Sequence, residues 1–298
     1  MEGNLNYKKN KVRININSLK FILIPTILIL IFSFYPMVRA FILSFQSGKG
    51  LSTEFSGINN YIRLFKDPTF IQTVKNTLIY LIVQVPVMLI LGLIIANLLN
   101  SKDIKFKGFF RTAIFLPCIT SLVAYSVLFK SLFSVDGIIN QFLMLINVID
   151  TPIAWLLDPV WGKVVIITAI TWRWTGYNMM FYLAAMQNID TSIYEAAKVD
   201  GATGFKQLFK ITIPMLKPII LFTAITSTNG TLQLFDEAMN ITAGGPGNAT
   251  MTISQYIYNL SFVYTPNFGY AATVSYAIVF MVAVLALIQS KVAGDKNE

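Results

Sequence analysis

The residues of this chain that are patterned for one specific task are Glu195-Ala196-Ala197 and Gly201, which stand between two long apolar runs. Small side chains let another surface approach the backbone closely, and Gly adds conformations that other residues avoid. The charged stretch closes at 211–214, with the sequence Ile-Thr-Ile-Pro. Small residues beside a carboxylate suit contact with a protein partner.

A second set of polar residues lies within the apolar runs, where polar groups facing lipid are costly. Thr168, Thr171, Thr175 and Asn178 recur at helical steps, and so do Thr226, Asn229 and Gln233. This spacing places each set on one helical face. Hydroxyl and amide groups suit a neutral, polyhydroxylated solute, so the two faces predict a solute path. The alternative is that they join neighbouring helices by hydrogen bonds.

Aromatic side chains in the same run add flat apolar surfaces. Trp172, Trp174 and Tyr177 could stack on the apolar face of a sugar ring, or they could anchor the helix near a membrane interface. The candidate path residues are therefore Trp172, Tyr177, Asn178, Thr226, Asn229 and Gln233.

Arg173 lies near mid-depth of the same run, where a charge pairs with a partner or faces water. Asp236 and Glu237 at the end of the next run are the expected partners, and an anionic solute is the alternative.

Residues for catalysis or metal binding are missing from the sequence. The chain has no His, Cys118 is its single Cys, and no Gly-x-x-x-x-Gly-Lys segment is present. Gly244-Gly245-Pro246-Gly247 lacks the Lys of a phosphate-binding loop and is expected to form a turn. We expect a non-catalytic chain with no metal and no cofactor, and any ATP must be bound by another protein.

Composition places the chain in a membrane. It has 298 residues, of which 55% are hydrophobic and 12% charged, and its mean hydropathy is positive. These values are too apolar for an ordinary soluble domain. A span needs about 20 apolar residues, and six such runs predict an all-α integral membrane domain over 21–290. The six runs lie near 21–42, 76–99, 112–133, 164–186, 218–235 and 270–289.

Lys and Arg indicate the orientation of these spans. They accumulate in the N-terminal segment 1–20, in the second connection, in the loop 190–217 and in the tail 291–298. Both termini and the loop 190–217 are therefore expected on the cytoplasmic side. This bias explains the net charge of +9, so nucleic-acid binding is not expected. No cleavage site follows the first run, which predicts an uncleaved span. Residues 140–149 are expected to form a short outer helix.

The loop 190–217 carries the sequence signals of two short helices. Ser192 with Glu195 has capping-box spacing, and Gly201 is expected where the first helix stops. Thr203 is expected to cap a second helix, which Pro214 and Pro218 end. Such a pair forms either a rigid surface for a protein partner or an interfacial pair whose Phe residues lie among lipid headgroups.

Glu-Ala-Ala, Gly and the closing Ile-Thr-Ile-Pro resemble the cytoplasmic signature of ATP-binding-cassette (ABC) import permeases, with Ile213 in place of the usual Leu. Further segments resemble the carbohydrate-uptake, maltose-type branch of that family. They are Gly57-Ile58-Asn59-Asn60-Tyr61, Phe65-x-Asp67-Pro68 with Asn76-Thr77, residues 174–187, Thr242-Ala243-Gly244-Gly245-Pro246, Tyr256-Ile257-Tyr258 and Gly269-Tyr270-Ala271.

The resemblance implies a permease subunit that moves a mono- or oligosaccharide across the cytoplasmic membrane of a bacterium. It implies four kinds of partner: a second homologous permease in a heterodimer, cytoplasmic ATPase subunits, an extracytoplasmic sugar-binding protein and membrane lipid. It also implies that the loop 190–217 is a coupling helix seated in the ATPase. By matching position, the contact would be formed by Glu195, Ala196, Ala197, Gly201 and Pro214.

Two alternatives remain open. An ion-coupled secondary transporter would use acidic residues or His inside the membrane, and all six predicted spans lack them. A membrane enzyme would need clustered reactive groups, which the sequence does not show. Within the permease interpretation, a sugar phosphate or a polyol is the alternative substrate.

Overall fold

The protein is built mostly from α-helices, and the computed structural model describes residues 16–48, 50, 54–101 and 104–294. Its helices in chain order are α1 (Ile16–Ile29), α2 (Tyr35–Ser44), α3 (Asn59–Leu64), α4 (Pro68–Asn100), α5 (Lys107–Ile119), α6 (Leu122–Leu132), α7 (Ile138–Leu145), α8 (Trp161–Gln187), α9 (Thr191–Val199), α10 (Gly204–Gln207), α11 (Ile213–Met215), α12 (Lys217–Leu232), α13 (Ile253–Tyr258) and α14 (Phe268–Gly294). Strands β1 (Gln46–Ser47) and β2 (Glu54–Phe55) pair antiparallel. Most of the expected segment 1–20 and the end of the tail 291–298 lie outside the described residues.

Short π-helical turns continue several of these helices. They are Leu30–Phe34, Leu208–Thr212, Ala238–Thr242 and Asn259–Val263. The first joins α1 to α2 just before Pro36, which has no N–H to donate within a regular helix. The second joins α10 to α11, so residues 204–215 form one helical unit.

Within the described residues, three helices are long and apolar enough to cross a membrane. They are Phe21–Ser44, Pro68–Asn100 and Phe268–Lys291. Two bent pairs raise the number to as many as five. The fourth expected span, 164–186, lies within the 27-residue helix α8. This helix is long enough to cross a membrane but is not among the three, because its Thr, Asn, Trp and Arg residues lower its mean hydropathy.

The third expected span, 112–133, is not one straight helix. It forms α5 and α6, whose axes differ by 98°. Pro117 lies in the last turn of α5, and Thr120 and Ser121 then adopt extended backbone with ψ of 143° and 134°. A Pro near the end of a helix removes a donor and favours a break. The sequence indicates one apolar run at 112–133, and the structure forms it as a bent helix pair that begins earlier, at Lys107.

The centre of the bundle is α8, which packs against α4 and α5. Close approach depends on glycines, since a Cβ added at Gly92 would lie 3.2 Å from the Cβ of Asn178. A Cβ added at Gly176 would overlap the carbonyl oxygen of Ile114. Small residues at helix contacts are typical of membrane bundles. The first span is peripheral: residues 21–39 are exposed, and α2 reaches α14 through the Tyr276 hydroxyl, which donates to the Met37 carbonyl at 2.7 Å.

Candidate coupling loop and solute path

Helix α9 begins the loop 190–217, and its cap differs from the expected one. The Asp190 carboxylate, not the Ser192 hydroxyl, occupies the N-cap position and accepts from the Ser192 backbone N–H at 2.9 Å. This bond and the Ser192 hydroxyl hold the pKa of Asp190 below its usual value. Asp and Ser are both good caps. Asp190 itself has the extended backbone of an N-cap, with φ of −60° and ψ of 129°, whereas Ser192 already lies inside α9.

Gly201 closes α9 in a left-handed conformation, with φ of +73°. The Gly201 N–H donates to the Lys198 carbonyl at 3.0 Å, and the Ala202 N–H donates to the Ala197 carbonyl at 2.8 Å. These two bonds form a Schellman motif. No atom lies within 4 Å of a Cβ built at Gly201, so the requirement for Gly is backbone conformation and not space within this chain.

The second helical unit, 204–215, turns into α12 at an angle of 70°. Pro214 does not end it as expected, because the helix runs to Met215 and the bend comes at Leu216. Thr203 occupies the N-cap position without a side-chain bond.

Two side chains that the sequence did not single out fix the angle inside the loop. The Tyr194 hydroxyl lies 3.0 Å from the Thr212 hydroxyl. The Gln207 amide donates to the carbonyls of Ala202 at 3.1 Å and Tyr194 at 3.4 Å. Neither side chain belongs to a spacing pattern, so only the packed loop reveals them.

The exposed residues of the loop lie close together along α9 and at its end. Glu195, Ala196 and Gly201 are exposed, and Ala197 is half-buried. Val199, which the sequence interpretation overlooked, is 89% exposed at the tip of α9. An apolar side chain held outward on a hydrogen-bonded loop suits insertion into a partner protein. The structure brings Glu195, Ala196, Ala197 and Gly201 together, and Pro214 lies apart on the second helical unit.

The three candidates on α8 point in different directions. Trp172 packs on α6, with its ring 5.6 Å from that of Phe129. Tyr177 packs in a separate row, 5.7 Å from the Trp174 ring and 4.9 Å from the Phe181 ring.

Asn178 is 1% exposed and lies against Gly92 of α4. Its amide N–H donates to the Trp174 carbonyl at 3.1 Å, and its Oδ1 has no partner. Asn178 therefore lies in the contact with α4, and the rings of Trp172 and Tyr177 pack in separate rows, so the three side chains do not share one surface. A role of these residues in the solute path stays a prediction.

The candidates on α12 do share an open side of the helix. Thr226 and Gln233 are exposed, and Asn229 is half-buried. The opposite side is closed by polar contacts, where Thr231 donates to the Gln84 side chain at 3.0 Å. Gln289 donates to Thr228 at 2.8 Å on that closed side. Polar groups therefore serve both purposes on α12: one side joins helices, and the other remains open.

Arg173 is 7% exposed and lies over two aromatic rings. Its guanidinium carbon is 4.8 Å from the centre of the Tyr125 ring and 5.4 Å from that of the Trp174 ring. Its Nε and Nη1 have no hydrogen-bond acceptor, so neither Asp236 nor Glu237 pairs with these atoms. The guanidinium is thus in cation–π contact with both rings, and its charge also interacts with the buried Glu237 carboxylate.

The end of α4 opposite the loop 190–217 is held by a carboxylate. Asp67 accepts at 2.5 Å from the Tyr256 hydroxyl, at 2.7 Å from the Tyr270 hydroxyl, and from the N–H groups of Thr69 and Phe70. Burial alone would raise the pKa of Asp67, but these bonds outweigh it and lower the pKa below 3.8. Asp67 thus joins α4, α13 and α14.

Replacing Asp67 by Asn is expected to lower the free energy of unfolding by about 2–3 kcal/mol, because bonds to a charged acceptor are lost. The folded pKa is depressed, so the contribution is complete above pH 3.8 and is lost as the pH falls through the lower folded value. Thermal unfolding at pH 7 and near pH 3 measures this. The exposed Asp136→Asn is the control, and an equal melting temperature for both variants at pH 7 would contradict the expectation.

The segment between α12 and α14 folds onto α4. The Asn76 amide donates to the Met251 carbonyl at 2.9 Å, and the Tyr80 hydroxyl donates to the Thr250 carbonyl at 3.0 Å. The Gly/Pro turn lies in this segment, where Thr250 donates to the Gly245 carbonyl at 2.8 Å. The segment is a packed cap over one end of the bundle.

Residues 68–293 match the family described as "Binding-protein-dependent transport system inner membrane component". The lactose transport system permease protein LacF of Rhizobium radiobacter is 56% identical over 95% of this chain and 96% of that protein. The arabinooligosaccharides transport system permease protein AraP of Halalkalibacterium halodurans is 37% identical over 77% of this chain and 72% of that protein.

Two solved structures are similar over most of the chain. A chain of a bacterial ABC transporter involved in the import of the acidic polysaccharide alginate has a TM-score of 0.82 and 25% identity, covering 94% of this chain and 96% of that chain. A chain of the alginate transporter in complex with a pentasaccharide-bound periplasmic protein has a TM-score of 0.76 and 26% identity, covering 93% and 92%.

Proposed function

The chain belongs to the family of binding-protein-dependent transport system inner membrane components, and on that premise we propose that it works as one half of the membrane channel of an ATP-driven sugar importer. The resemblance to sugar permeases is confirmed, and the chain is a multi-pass protein of the cytoplasmic membrane. Members of this family are permease subunits and not enzymes. Hydrolysis of ATP is assigned in this proposal to a separate subunit.

We propose six spans with both termini in the cytoplasm. Three correspond to the long apolar helices, one to the bent pair of α5 and α6, and one to α12, and the sixth is α8. The central position of α8 supports this, because a helix covered by protein needs less hydropathy than one facing lipid. The excess of Lys and Arg at 1–20, in the second connection and in the loop 190–217 supports the orientation.

In this orientation the loop 190–217 meets the ATPase. The proposal rests above all on the geometry of that loop: Glu195, Ala196, Val199 and Gly201 are exposed on a short helix whose angle is held by Tyr194 and Gln207. Because such a loop is rigid, a movement of the partner protein would shift α12 as well. The contact is assigned to Glu195, Ala196, Ala197 and Gly201, with Val199 added.

The solute path is assigned to the open side of α12, with Thr226, Asn229 and Gln233. An exposed polar side next to lipid is unfavourable, so this side is expected to face a second, homologous permease across a hydrated path. Relatives carry the names of lactose and arabinooligosaccharide permeases, which favours a neutral di- or oligosaccharide as the substrate. Neutral amides and hydroxyls can bind sugar hydroxyls directly.

Replacing Asn229 and Gln233 together by Ala is expected to raise the half-saturation concentration of sugar uptake roughly 10- to 30-fold, because two hydrogen bonds of about 1 kcal/mol each are lost. Uptake of radiolabelled sugar in proteoliposomes measures it. Thr26→Ala, on the peripheral helix α1, is the control. Unchanged uptake by the double variant would remove α12 from the path.

Affinity purification from native membranes in mild detergent tests the assembly. We expect a second permease and an ATPase to remain bound, and ATP hydrolysis to rise when sugar-loaded binding protein is added. A chain that purifies alone and moves solute without ATP would overturn the proposal and favour an ion-coupled transporter.

A further inference from the structure

A groove of about 1080 Å³ lies between the end of α4 and the loop 190–217. Its walls include Ile94 and Leu98 of α4, Phe205 and Phe209 of the second helical unit, and Tyr194 and Lys198 of α9. Parts of two walls are therefore apolar, and polar residues such as Asn97 and Gln207 lie between these apolar side chains. Its volume is large enough for part of a lipid acyl chain and its headgroup region.

The second helical unit lies across the direction of the span that follows it. The axis of residues 204–215 makes an angle of 70° with α12. If α12 crosses the membrane, the unit runs along the membrane surface. Phe205 and Phe209 are 78% and 62% exposed and their rings stack 6.5 Å apart. Lys206 and Lys210 are exposed next to them. Exposed aromatic and basic residues on one surface-lying helix are typical of contact with lipid headgroups.

The apolar wall of the groove continues the membrane-facing side of α4. Ile90, Ile94 and Leu98 are 56%, 45% and 55% exposed and recur every four residues. Side chains at this spacing line one side of a helix. A lipid chain lying along α4 would therefore enter the groove without leaving the apolar surface.

Charge favours an anionic headgroup at the mouth of the groove. Lys198 lines the groove, and Lys206 and Lys210 are exposed on the adjacent helix. Glu195 also lines it, so the acidic headgroup is expected on the side of the lysines. A Lys near an anionic lipid surface contributes about 1 kcal/mol.

We propose that this groove binds one anionic phospholipid of the inner leaflet, with an acyl chain along Ile94 and Leu98 and its phosphate near Lys198, Lys206 and Lys210. The lipid would contact α4 and α9 at once. It would thereby link the membrane-facing helix to the coupling loop, so that ATP-driven uptake requires anionic lipid. This inference rests on the proposed orientation, in which the loop 190–217 is cytoplasmic.

Native mass spectrometry of the assembled importer, released from nanodiscs with phosphatidylglycerol in a phosphatidylcholine background, tests the site. We expect one retained phosphatidylglycerol per copy of this chain. Lys206→Gln with Lys210→Gln should lower its retention roughly tenfold. Leu98→Trp, which narrows the groove where the acyl chain is expected to lie, should lower retention. Lys66→Gln, an exposed change at the far end of α4, should leave it unchanged. Millimolar inorganic phosphate should not compete.

Three results would overturn the inference. They are equal retention by the Lys206/Lys210 variant, displacement of the lipid by inorganic phosphate, and a photo-crosslinker at Leu98 that captures the second permease instead of lipid. Labelling of Val199→Cys from the inside of sealed vesicles tests the orientation separately. Inside labelling with no lipid retention would reject the lipid site and leave the proposed function standing.

Discussion

Gly201→Asp is expected to leave the permease inserted and folded but to reduce ATP-driven sugar uptake at least about a hundredfold. Within the chain the substitution is mild, since no atom lies within 4 Å of a new Cβ. The left-handed φ of +73° costs a non-Gly residue about 1–2 kcal/mol, and Asp tolerates it better than most. At a protein contact, however, an unpaired buried carboxylate costs about 3–5 kcal/mol. That cost corresponds to a hundredfold or more.

Uptake into proteoliposomes and ATP hydrolysis should be measured together. We expect hydrolysis that no longer responds to sugar-loaded binding protein. Gly57→Asp is a matched control, because Gly57 also has a positive φ, +59°, with no atom within 4 Å of its Cβ position, and it lies far from the loop 190–217. Normal uptake by Gly201→Asp would remove this residue from the ATPase contact.

Gly176→Ala is expected to destabilise the bundle by about 3 kcal/mol or more. Helix propensity alone predicts the opposite, since Ala stabilises a helix by about 1 kcal/mol relative to Gly. The structure reverses the sign because the new methyl group would overlap the Ile114 carbonyl. The contact between α5 and α8 would have to open, and with it the packing of the central helix.

Gly230→Ala is the matched control, because Gly230 also lies within a helix and nothing stands within 4 Å of its Cβ position. This variant is expected to be neutral or slightly more stable. Thermal unfolding and the yield of monodisperse protein in detergent measure the stability of the two variants. If the two variants unfold at the same temperature, the close contact between α5 and α8 does not require Gly at position 176.

The sequence predicted the membrane class and a mostly helical chain correctly, because runs of about 20 apolar residues are typical of helices that cross a bilayer. The sequence-based prediction was less accurate at positions where the residue is compatible with two local structures. Pro117 is compatible with a kinked span or a break, and the 98° bend between α5 and α6 shows the break. The cap of α9 was misassigned by two residues, since Asp190 and Ser192 have similar capping ability.

The candidate site residues also differ in whether the structure brings them together. The signature residues lie together because they are neighbours on one short helix ended by Gly201. The solute-path candidates on α8 do not form one surface, although Asn178 belongs to a regular spacing. Periodicity defines a face of a helix, but not whether that face meets lipid, a neighbour or water.

By itself the sequence determined what acts locally: an apolar, multi-pass chain, the charge bias of its connections, the family, and the short helix that carries Glu195. Tertiary structure alone decided which polar groups are used for packing. Asp67 meets Tyr256 and Tyr270 across 189 and 203 positions of the chain, and Tyr194 meets Thr212 across a turn. The physical reason is that a hydrogen bond between distant residues depends on how helices pack, and side-chain spacing within one helix does not specify its neighbours.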